Sequence, residues 1–149
     1  NDVIINKSVM KKLIFASIAL CFLICGCNQT KKVVADTPSA QLAGVFTVLT
    51  INGEKISPTA LLEFNKGDNK IWGNAGCNDF SGKYTQDASS LNIGQLTSTK
   101  MYCDGAMKNE YAIQRVLKNV GSFDISNGTL TLYSLIEKKP LLTAIKNKQ

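Results

Sequence analysis

The sequence predicts a mainly β protein of the α+β class, built as a small antiparallel β-barrel-like curled sheet with one helix packed on it. Two observations support this prediction. About seven or eight short runs of β-branched and aromatic residues are separated by turn-forming residues. One later stretch, Gly105–Val120, instead carries its apolar residues at helical spacing.

The predicted strands are short and follow one another with polar connections. They are Phe46–Ile51, Ala60–Asn65, Lys70–Asn74, Phe80–Thr85, Ser90–Gly94, Ser122–Ser126, Thr129–Tyr133 and Leu141–Ile145. Between two of them, Asn127-Gly128 favours a type I′ turn, since both central residues need positive φ. A two-residue loop then pairs Ile125 with Leu130 and Phe123 with Leu132, and places all four on one face of the hairpin.

The helical stretch also has candidate start and stop residues. Asp104 is a suitable N-cap, and Gly121 is a suitable residue for the C-terminal stop. We expect this helix to lay its Ile113 and Leu117 face over a sheet.

The N-terminal part of the chain is typical of an exported protein. Residues 1–9 precede Met10 and are interpreted as an upstream extension or a mis-called start. Residues 10–26 have the basic start, short apolar run and small-residue exit of a secretory signal, here a lipoprotein signal peptide. Leu23–Cys27 resembles a bacterial lipobox, so we expect Cys27 to receive the lipid. A plain signal in which Cys27 is incidental remains the alternative.

Two regions are expected after cleavage. Residues 27–41 are polar and small and predict a flexible tether, and residues 42–149 predict one globular domain. Two of the five cysteines leave with the signal and Cys27 is lipidated, so Cys77 and Cys103 remain. Outside the cytoplasm such a pair favours a disulfide, with two buried free thiols as the alternative.

One constellation carries a family resemblance. Gly73–Tyr84 reads Gly-Asn-Ala-Gly-Cys-Asn-Asp-Phe-Ser-Gly-Lys-Tyr, and Thr99–Cys103 reads Thr-Lys-Met-Tyr-Cys. Together they resemble the signature of META-domain proteins of the heat-shock HslJ type, which are small bacterial envelope proteins. The resemblance covers about Leu42–Ile145. It implies a β-barrel-like fold with a helix inserted after the second cysteine.

The signature residues are interpreted as structural. They are Gly73, Gly76, Asn78, Phe80, Gly82, Tyr84 and Thr99. Gly73 and Gly76 would supply positive φ or close backbone approach. Asn78 and the neighbouring Asp79 would bond their own backbone in a turn. Phe80 and Tyr84 would fill the core, with the Tyr84 hydroxyl at the rim.

Two aromatic residues stand outside the signature. Many relatives carry Trp in the first strand, where Phe46 stands here, so that aromatic anchor is smaller. Trp72, the only tryptophan, is expected to pack in the protein or line the concave face of the sheet rather than serve in recognition.

Composition argues against catalysis and nucleic-acid binding. The chain has no histidine, which excludes Ser–His and Cys–His catalysis and most zinc sites. We therefore expect no enzyme, no cofactor and no metal. The net charge of +6 comes from scattered basic residues. That pattern indicates a solvated surface rather than a nucleic-acid site, with attraction to anionic lipid headgroups left open.

Two functions remain. The first, in line with the family's links to heat shock and drug tolerance, is a monomeric lipoprotein of the cell envelope. It would be anchored in the outer membrane, face the periplasm and act through contacts with an envelope protein. The second is a binder or sensor of a small apolar ligand in a barrel cavity. A filled interior with an exposed apolar patch would favour the first, and a continuous apolar cavity the second.

Overall fold

A computed structural model of the chain describes residues 40–148. In chain order the elements are β1 (Gly44–Ile51), β2 (Glu54–Asn65), β3 (Lys70–Asn74), β4 (Asp79–Asp87), β5 (Ser90–Ile93), β6 (Thr97–Ser98), α1 (Met107–Asn119), β7 (Val120–Ser126), β8 (Thr129–Ser134) and β9 (Pro140–Lys146). The predicted extension, signal peptide, Cys27 and nearly all of the predicted tether lie outside the described residues.

The strands form one closed antiparallel barrel. Its eight strands run in the order β1, β2, β3, β4, β5, β7, β8 and β9, and β9 pairs with β1 to close the ring. The short β6 adds to the first half of β4. The strand pairing with the fewest residues in register is that between β5 and β7, where Ser90 pairs with Ser122. The predicted fold class is confirmed, and the curled sheet is a closed barrel.

Alternation along the strands directs one side chain in two into the barrel, as expected for strands with one buried face. The largest of the fully buried side chains are Phe46, Phe64, Phe80, Leu42, Leu62, Ile71, Ile113, Leu117, Leu130, Leu132, Leu142 and Val48. The Phe64 ring meets Phe46 edge-on at 6.1 Å and Tyr84 edge-on at 5.4 Å between centroids. Such edge-to-face contacts are favourable arrangements of aromatic rings, and Phe46 completes this cluster without needing a tryptophan.

The predicted β7–β8 hairpin is confirmed in turn and register. Asn127-Gly128 has φ values of 50° and 77°, as a type I′ turn requires. Ile125 pairs with Leu130, and Phe123 pairs with Leu132. Turn chemistry and hydrophobic alternation agree here, so the local sequence determines the pairing.

The start of β2 differs from the prediction. Asn52-Gly53 makes another turn with positive φ at both residues, and Glu54 pairs with Ile51 directly after it. The strand thus begins at Glu54 rather than Ala60. The sequence from Glu54 to Ser57 is largely polar and lacks apolar alternation, so pattern alone missed it.

Helix α1 closes one end of the barrel, hereafter the helix end. The β1–β2 turn, the β3–β4 loop and the β8–β9 turn lie at this end, because the strands alternate in direction around the barrel. Ile113 and Leu117 are fully buried members of the barrel core. The helix therefore caps an opening instead of lying over a sheet face, which corrects the expectation. Within residues 40–148, no helix has the length and apolarity needed to span a bilayer.

The predicted capping residues are wrong, although the predicted range 105–120 lies within two residues of the observed helix at each end. The N-cap is Ala106, with no side-chain capping bond, rather than Asp104. At the other end the chain becomes extended at Val120 and enters β7 at once. Gly121 is needed there for space rather than for helix termination, because a Cβ on it would lie 2.5 Å from the Leu135 Cα atom.

The chain entering the domain covers the other end of the barrel, hereafter the opposite end. Leu42 is fully buried, although it precedes β1. Its backbone N–H donates to Gln86 Oε1 at 3.0 Å, and its carbonyl accepts from the Tyr84 hydroxyl at 3.1 Å. The Tyr84 hydroxyl thus holds the entering chain at the rim of the barrel.

Candidate interaction site

Asn78 is the centre of a hydrogen-bond network at the helix end. Its side chain is almost fully buried. The Asn78 Oδ1 atom accepts from the Met101 backbone N–H and from Thr99 Oγ1, both at 2.7 Å. Its Nδ2 group donates to the Met101 carbonyl at 2.9 Å and to Glu110 Oε2 at 3.0 Å. One amide side chain therefore joins the β3–β4 loop, the 99–101 segment and α1.

This role differs from the predicted one. The β3–β4 loop is held by Asn74, whose Oδ1 accepts from the Gly76 backbone N–H at 2.8 Å and whose Nδ2 donates to Asp79 Oδ1 at 2.6 Å. The Asp79 backbone N–H donates to Thr99 Oγ1 at 3.2 Å, and the Asp79 carbonyl accepts from the Thr99 N–H at 3.1 Å. Asn78 bonds across the fold rather than to its own turn.

Glu110 is the buried acidic partner in this network, and sequence reasoning missed it. It lies in the first turn of α1 and is 3% exposed. Its Oε2 also accepts from the Asn78 backbone N–H at 3.3 Å, and its Oε1 accepts from Gln114 at 3.4 Å. The partial positive charge of the helix N-terminus favours a carboxylate here. A signal was present, because Glu110 lies on the same helical face as Ile113 and Leu117.

The predicted bridge is present in the structure. Cys77 and Cys103 form a disulfide with their Cα atoms 5.8 Å apart. Cys77 directly precedes Asn78, so the bridge and the network fasten the same loop. Both therefore hold the segment before α1 against the barrel.

Gly73 and Gly76 meet the predicted requirements, and Gly82 allows a further close approach. Gly76 has φ of +104°. A Cβ on Gly73 would overlap the Phe80 ring and lie 2.9 Å from the Leu61 carbonyl oxygen. A Cβ on Gly82 would lie 2.8 Å from the Leu96 side chain. The glycines thus admit the buried Phe80 ring and let the 95–96 segment approach β4.

The signature residue Tyr84 is 3% exposed. Burial, with a smaller contribution from the negative charge of Asp68, raises the pKa of the Tyr84 hydroxyl above 10.0. The hydroxyl therefore stays protonated and can donate to the Leu42 carbonyl.

An open cleft adjoins the buried network. We name this cleft, to whose lining Met101, Tyr102 and Tyr111 contribute, the tyrosine cleft; its volume is about 530 Å³. Met101, Tyr102 and Tyr111 are 57%, 81% and 60% exposed, and Asn78 and Glu110 contribute to its lining. Aromatic residues and Met exposed together are typical of protein interaction surfaces.

The position of Trp72 contradicts the sequence prediction. It lies on the outer face of β3, between the inward-facing Ile71 and Gly73, and is 38% exposed. It neither lines a concave surface nor belongs to the core. Among residues 40–148, no three His, Cys, Asp or Glu side chains come together as a group that could hold a metal ion.

Comparisons with known proteins agree with this architecture. A family model described as "META domain" matches residues 40–148. An NMR structure of a protein is 25% identical, with a TM-score of 0.56, over 74% of this chain and 94% of that one. An NMR structure from Burkholderia xenovorans is 19% identical, with a TM-score of 0.58, over 72% and 85%. A crystal structure of a DUF4847 family protein from Bacteroides vulgatus is 16% identical, with a TM-score of 0.52, over 72% and 95%.

The likenesses below 25% identity establish the fold alone. Among curated proteins, no sequence matches the chain significantly. The family match spans every strand and the helix described above, and it includes the signature loop, the disulfide and Thr99. The chain therefore belongs to the META domain family.

Proposed function

We propose that this chain is a lipid-anchored envelope lipoprotein of the META/HslJ type that acts in stress or drug tolerance by binding another protein, without catalysing a reaction. The observation that carries the proposal is the tyrosine cleft. Tyr102 and Tyr111 expose most of their surface to solvent, at 81% and 60%. Tyrosine gives a large amphipathic contact area at low conformational cost, which favours its use at interfaces.

The surroundings of the cleft support a binding role because they hold its backbone in place. Met101 is fixed by two hydrogen bonds to Asn78. Cys103, two residues later, is tied to the barrel by the disulfide. A surface that is already ordered before binding loses less entropy on association.

The filled barrel interior favours protein contacts over the alternative of an internal apolar ligand. Phe46, Phe64 and Phe80 are nearly inaccessible to solvent, and the interior positions around them carry buried aliphatic side chains. A ligand inside the barrel would have to displace such residues, since protein interiors are close-packed.

Two features support the non-catalytic part of the proposal. Glu110 is the buried carboxylate at the site, and its two oxygens already accept bonds from Asn78 and Gln114. A general base needs a free acceptor within reach of a substrate proton. The absence of histidine from the sequence removes the commonest acid–base group.

The lipid anchor is tested in the native envelope. Replacing Cys27 with Ser should release the protein to the soluble fraction or leave an unprocessed precursor, because the thiol that accepts the lipid is gone. Fractionation and intact mass measure this outcome. A mature-length Cys27→Ser chain that still fractionates with membranes would contradict the anchor.

The tyrosine cleft is tested by complementation and crosslinking in the producing cell. In a strain lacking the protein, the wild type should restore tolerance to heat or drug, whereas Tyr102→Ala with Tyr111→Ala should not. A photoreactive residue at position 102 should give one discrete adduct, and this adduct should disappear with Tyr111→Ala.

Trp72→Ala is the matched control, because Trp72 is an exposed aromatic residue on the outer face of β3 and is not among the residues that line the cleft. It should complement fully. Full complementation by the double tyrosine variant, at normal abundance, would refute the proposed surface.

A further inference from the structure

The β8–β9 turn exposes two neighbouring aliphatic side chains. Leu135 is 71% and Ile136 is 90% exposed, the latter being the most exposed of the large hydrophobic residues described. Single exposed apolar residues are common on protein surfaces. Two in succession at the end of a turn are a concentrated apolar tip.

The turn is held in shape by contacts at its base. The Ser134 N–H donates to the Lys139 carbonyl at 2.8 Å, and the Lys139 N–H donates to Ser134 Oγ at 3.0 Å. The Leu135 N–H donates to the Asn119 carbonyl at the end of α1, at 3.0 Å. Gly121 leaves the space that lets Leu135 approach β7. The fold thus holds Ile136 in solvent instead of allowing it to turn inward.

Positive charge surrounds this tip. Arg115, Lys118 and Lys139 line the cleft of about 350 Å³ that Leu135 and Ile136 border, and Lys138 follows in the same turn. The acidic residue bordering that cleft is Glu137. Four cations and one carboxylate give the surroundings of the apolar tip a net positive charge. This arrangement is complementary to an anionic lipid surface, where the headgroups are negative and the layer below is apolar.

We propose that the β8–β9 turn is a membrane-contact tip that inserts Leu135 and Ile136 between the headgroups of an anionic bilayer, with the surrounding Lys and Arg residues on the phosphates. The inference goes beyond the proposed function and uses the proposed anchor only to keep the domain near the membrane. Two adjacent side chains are a small area for a protein interface, which typically buries about 800 Å² per partner. They are sufficient for a tip that enters the headgroup layer.

The test uses the single tryptophan of the chain as a movable probe. In the full-length chain, Trp72→Phe combined with Ile136→Trp places the only tryptophan at the tip. The protein is reconstituted in vesicles containing phosphatidylglycerol with brominated acyl chains, and tryptophan quenching is measured. We expect quenching several-fold stronger at the tip than for Trp72 in the wild-type chain.

Two variants serve as controls in the same vesicles. Trp72→Phe with Tyr102→Trp reports the tyrosine cleft at the same end and should be quenched less than the tip probe, because Tyr102 lies outside the β8–β9 turn. Adding Lys138→Glu and Lys139→Glu to the tip probe should weaken its quenching, as should replacing phosphatidylglycerol by phosphatidylcholine, since both remove the charge attraction.

Quenching at Ile136→Trp no stronger than at Trp72, or weaker than at Tyr102→Trp, would overturn the membrane-contact tip. Failure of the anchor is recognised separately. Release of the Cys27→Ser chain together with an unquenched tip would support the anchor and overturn the tip. A quenched tip in a chain that Cys27→Ser does not release would support the tip and remove the anchor.

Discussion

The two ends of the barrel are closed in different ways. At the opposite end, Leu42 enters the core and its backbone is held by Tyr84 and Gln86. At the helix end, an inserted segment that includes α1 is held by the Cys77–Cys103 disulfide and the Asn78 network. The opposite end is thus closed by the segment that leads into β1. The helix end is closed by the segment inserted between β5 and β7, which a disulfide and hydrogen bonds hold in place.

The difference shows where this fold can carry function. The opposite end has short polar turns at 66–69, 88–89 and 127–128. The helix end exposes the tyrosine cleft and the β8–β9 tip. The exposed side chains of the helix end are held in place by the disulfide and the Asn78 network, so they lie on a rigid scaffold. Weakening each end separately tests this division.

The largest effect is expected for Asn78→Ala at the helix end. This change removes the side-chain bonds to the Met101 backbone, Thr99 Oγ1 and Glu110, while the Asn78 backbone N–H and Gln114 still donate to Glu110. Each buried group left unsatisfied costs roughly 1–3 kcal/mol. We expect the free energy of unfolding to fall by about 4 kcal/mol in urea denaturation. Asn92→Ala, on the exposed side of β5, is the matched control and should change it by less than about 0.5 kcal/mol. A loss below about 1 kcal/mol for Asn78→Ala would contradict the central role of this network.

The disulfide should contribute slightly less. For a sequence separation of 26 residues, the chain-entropy relation gives about 3.5 kcal/mol. Strong reductant should therefore lower the melting temperature of the wild type by more than roughly 10 °C. The variant with Cys77→Ala and Cys103→Ala should melt at a lower temperature but show no response to reductant. A wild-type melting curve that reductant leaves unchanged would exclude a structural bridge.

Leu42→Ala tests the opposite end by a different mechanism. Truncating a fully buried leucine leaves a cavity and costs about 3 kcal/mol, within a usual range of roughly 2–5 kcal/mol. Hydrogen exchange should accelerate mainly at Gln86 and the β4–β5 turn, with α1 less affected. Leu49→Ala, at an exposed position of β1, is the control and should cost at most about 1 kcal/mol. Equal destabilisation by the two variants would show that Leu42 does not close the barrel.

Tyr84→Phe is the smallest change at the same end. It removes the bond to the Leu42 carbonyl, with an expected loss of about 1 kcal/mol below pH 10. Because burial raises the pKa of Tyr84 in the folded state, the unfolded chain ionises first as pH rises. The stabilisation from Tyr84 is therefore fully present below about pH 10 and is lost above it. The variant should show a smaller decrease in stability between about pH 9 and pH 11 than the wild type, measured by urea denaturation. The same pH dependence of the free energy of unfolding in the variant and the wild type would contradict burial of the Tyr84 hydroxyl.

Local features of this fold were predictable from the sequence. The Asn127-Gly128 hairpin depends on residues adjacent in the chain, so its turn and register are confirmed. Strand β3 has the predicted bounds for the same reason. The helical period of 105–120 identified α1 although its caps were wrong, because buried-face periodicity averages over several turns while a cap depends on one residue.

The candidate site was only partly predictable. The resemblance singled out Asn78 and Thr99, and cysteine counting singled out Cys77 and Cys103. Glu110 was missed because its partner Asn78 is 32 residues away; its place on the buried face of the helix was a local signal, but its bonding partner was not visible from the sequence. The outward position of Trp72 was missed too. Ile71 and Trp72 lie on opposite faces of β3, and only the tertiary packing shows that Ile71 faces the core.

The sequence by itself determined the family, the strand order along the chain, the hairpin turns and the cysteine pair, because each depends on short-range conformational preference or on a recognisable residue pattern. The tertiary structure decided that the sheet closes with β9 on β1 and that α1 caps an end instead of a face. It also decided that Asn78 bonds to Glu110 and that Ile136 remains exposed. These outcomes depend on which distant groups share the limited interior volume, and burial of a polar or apolar side chain is settled by those neighbours rather than by its own chemistry.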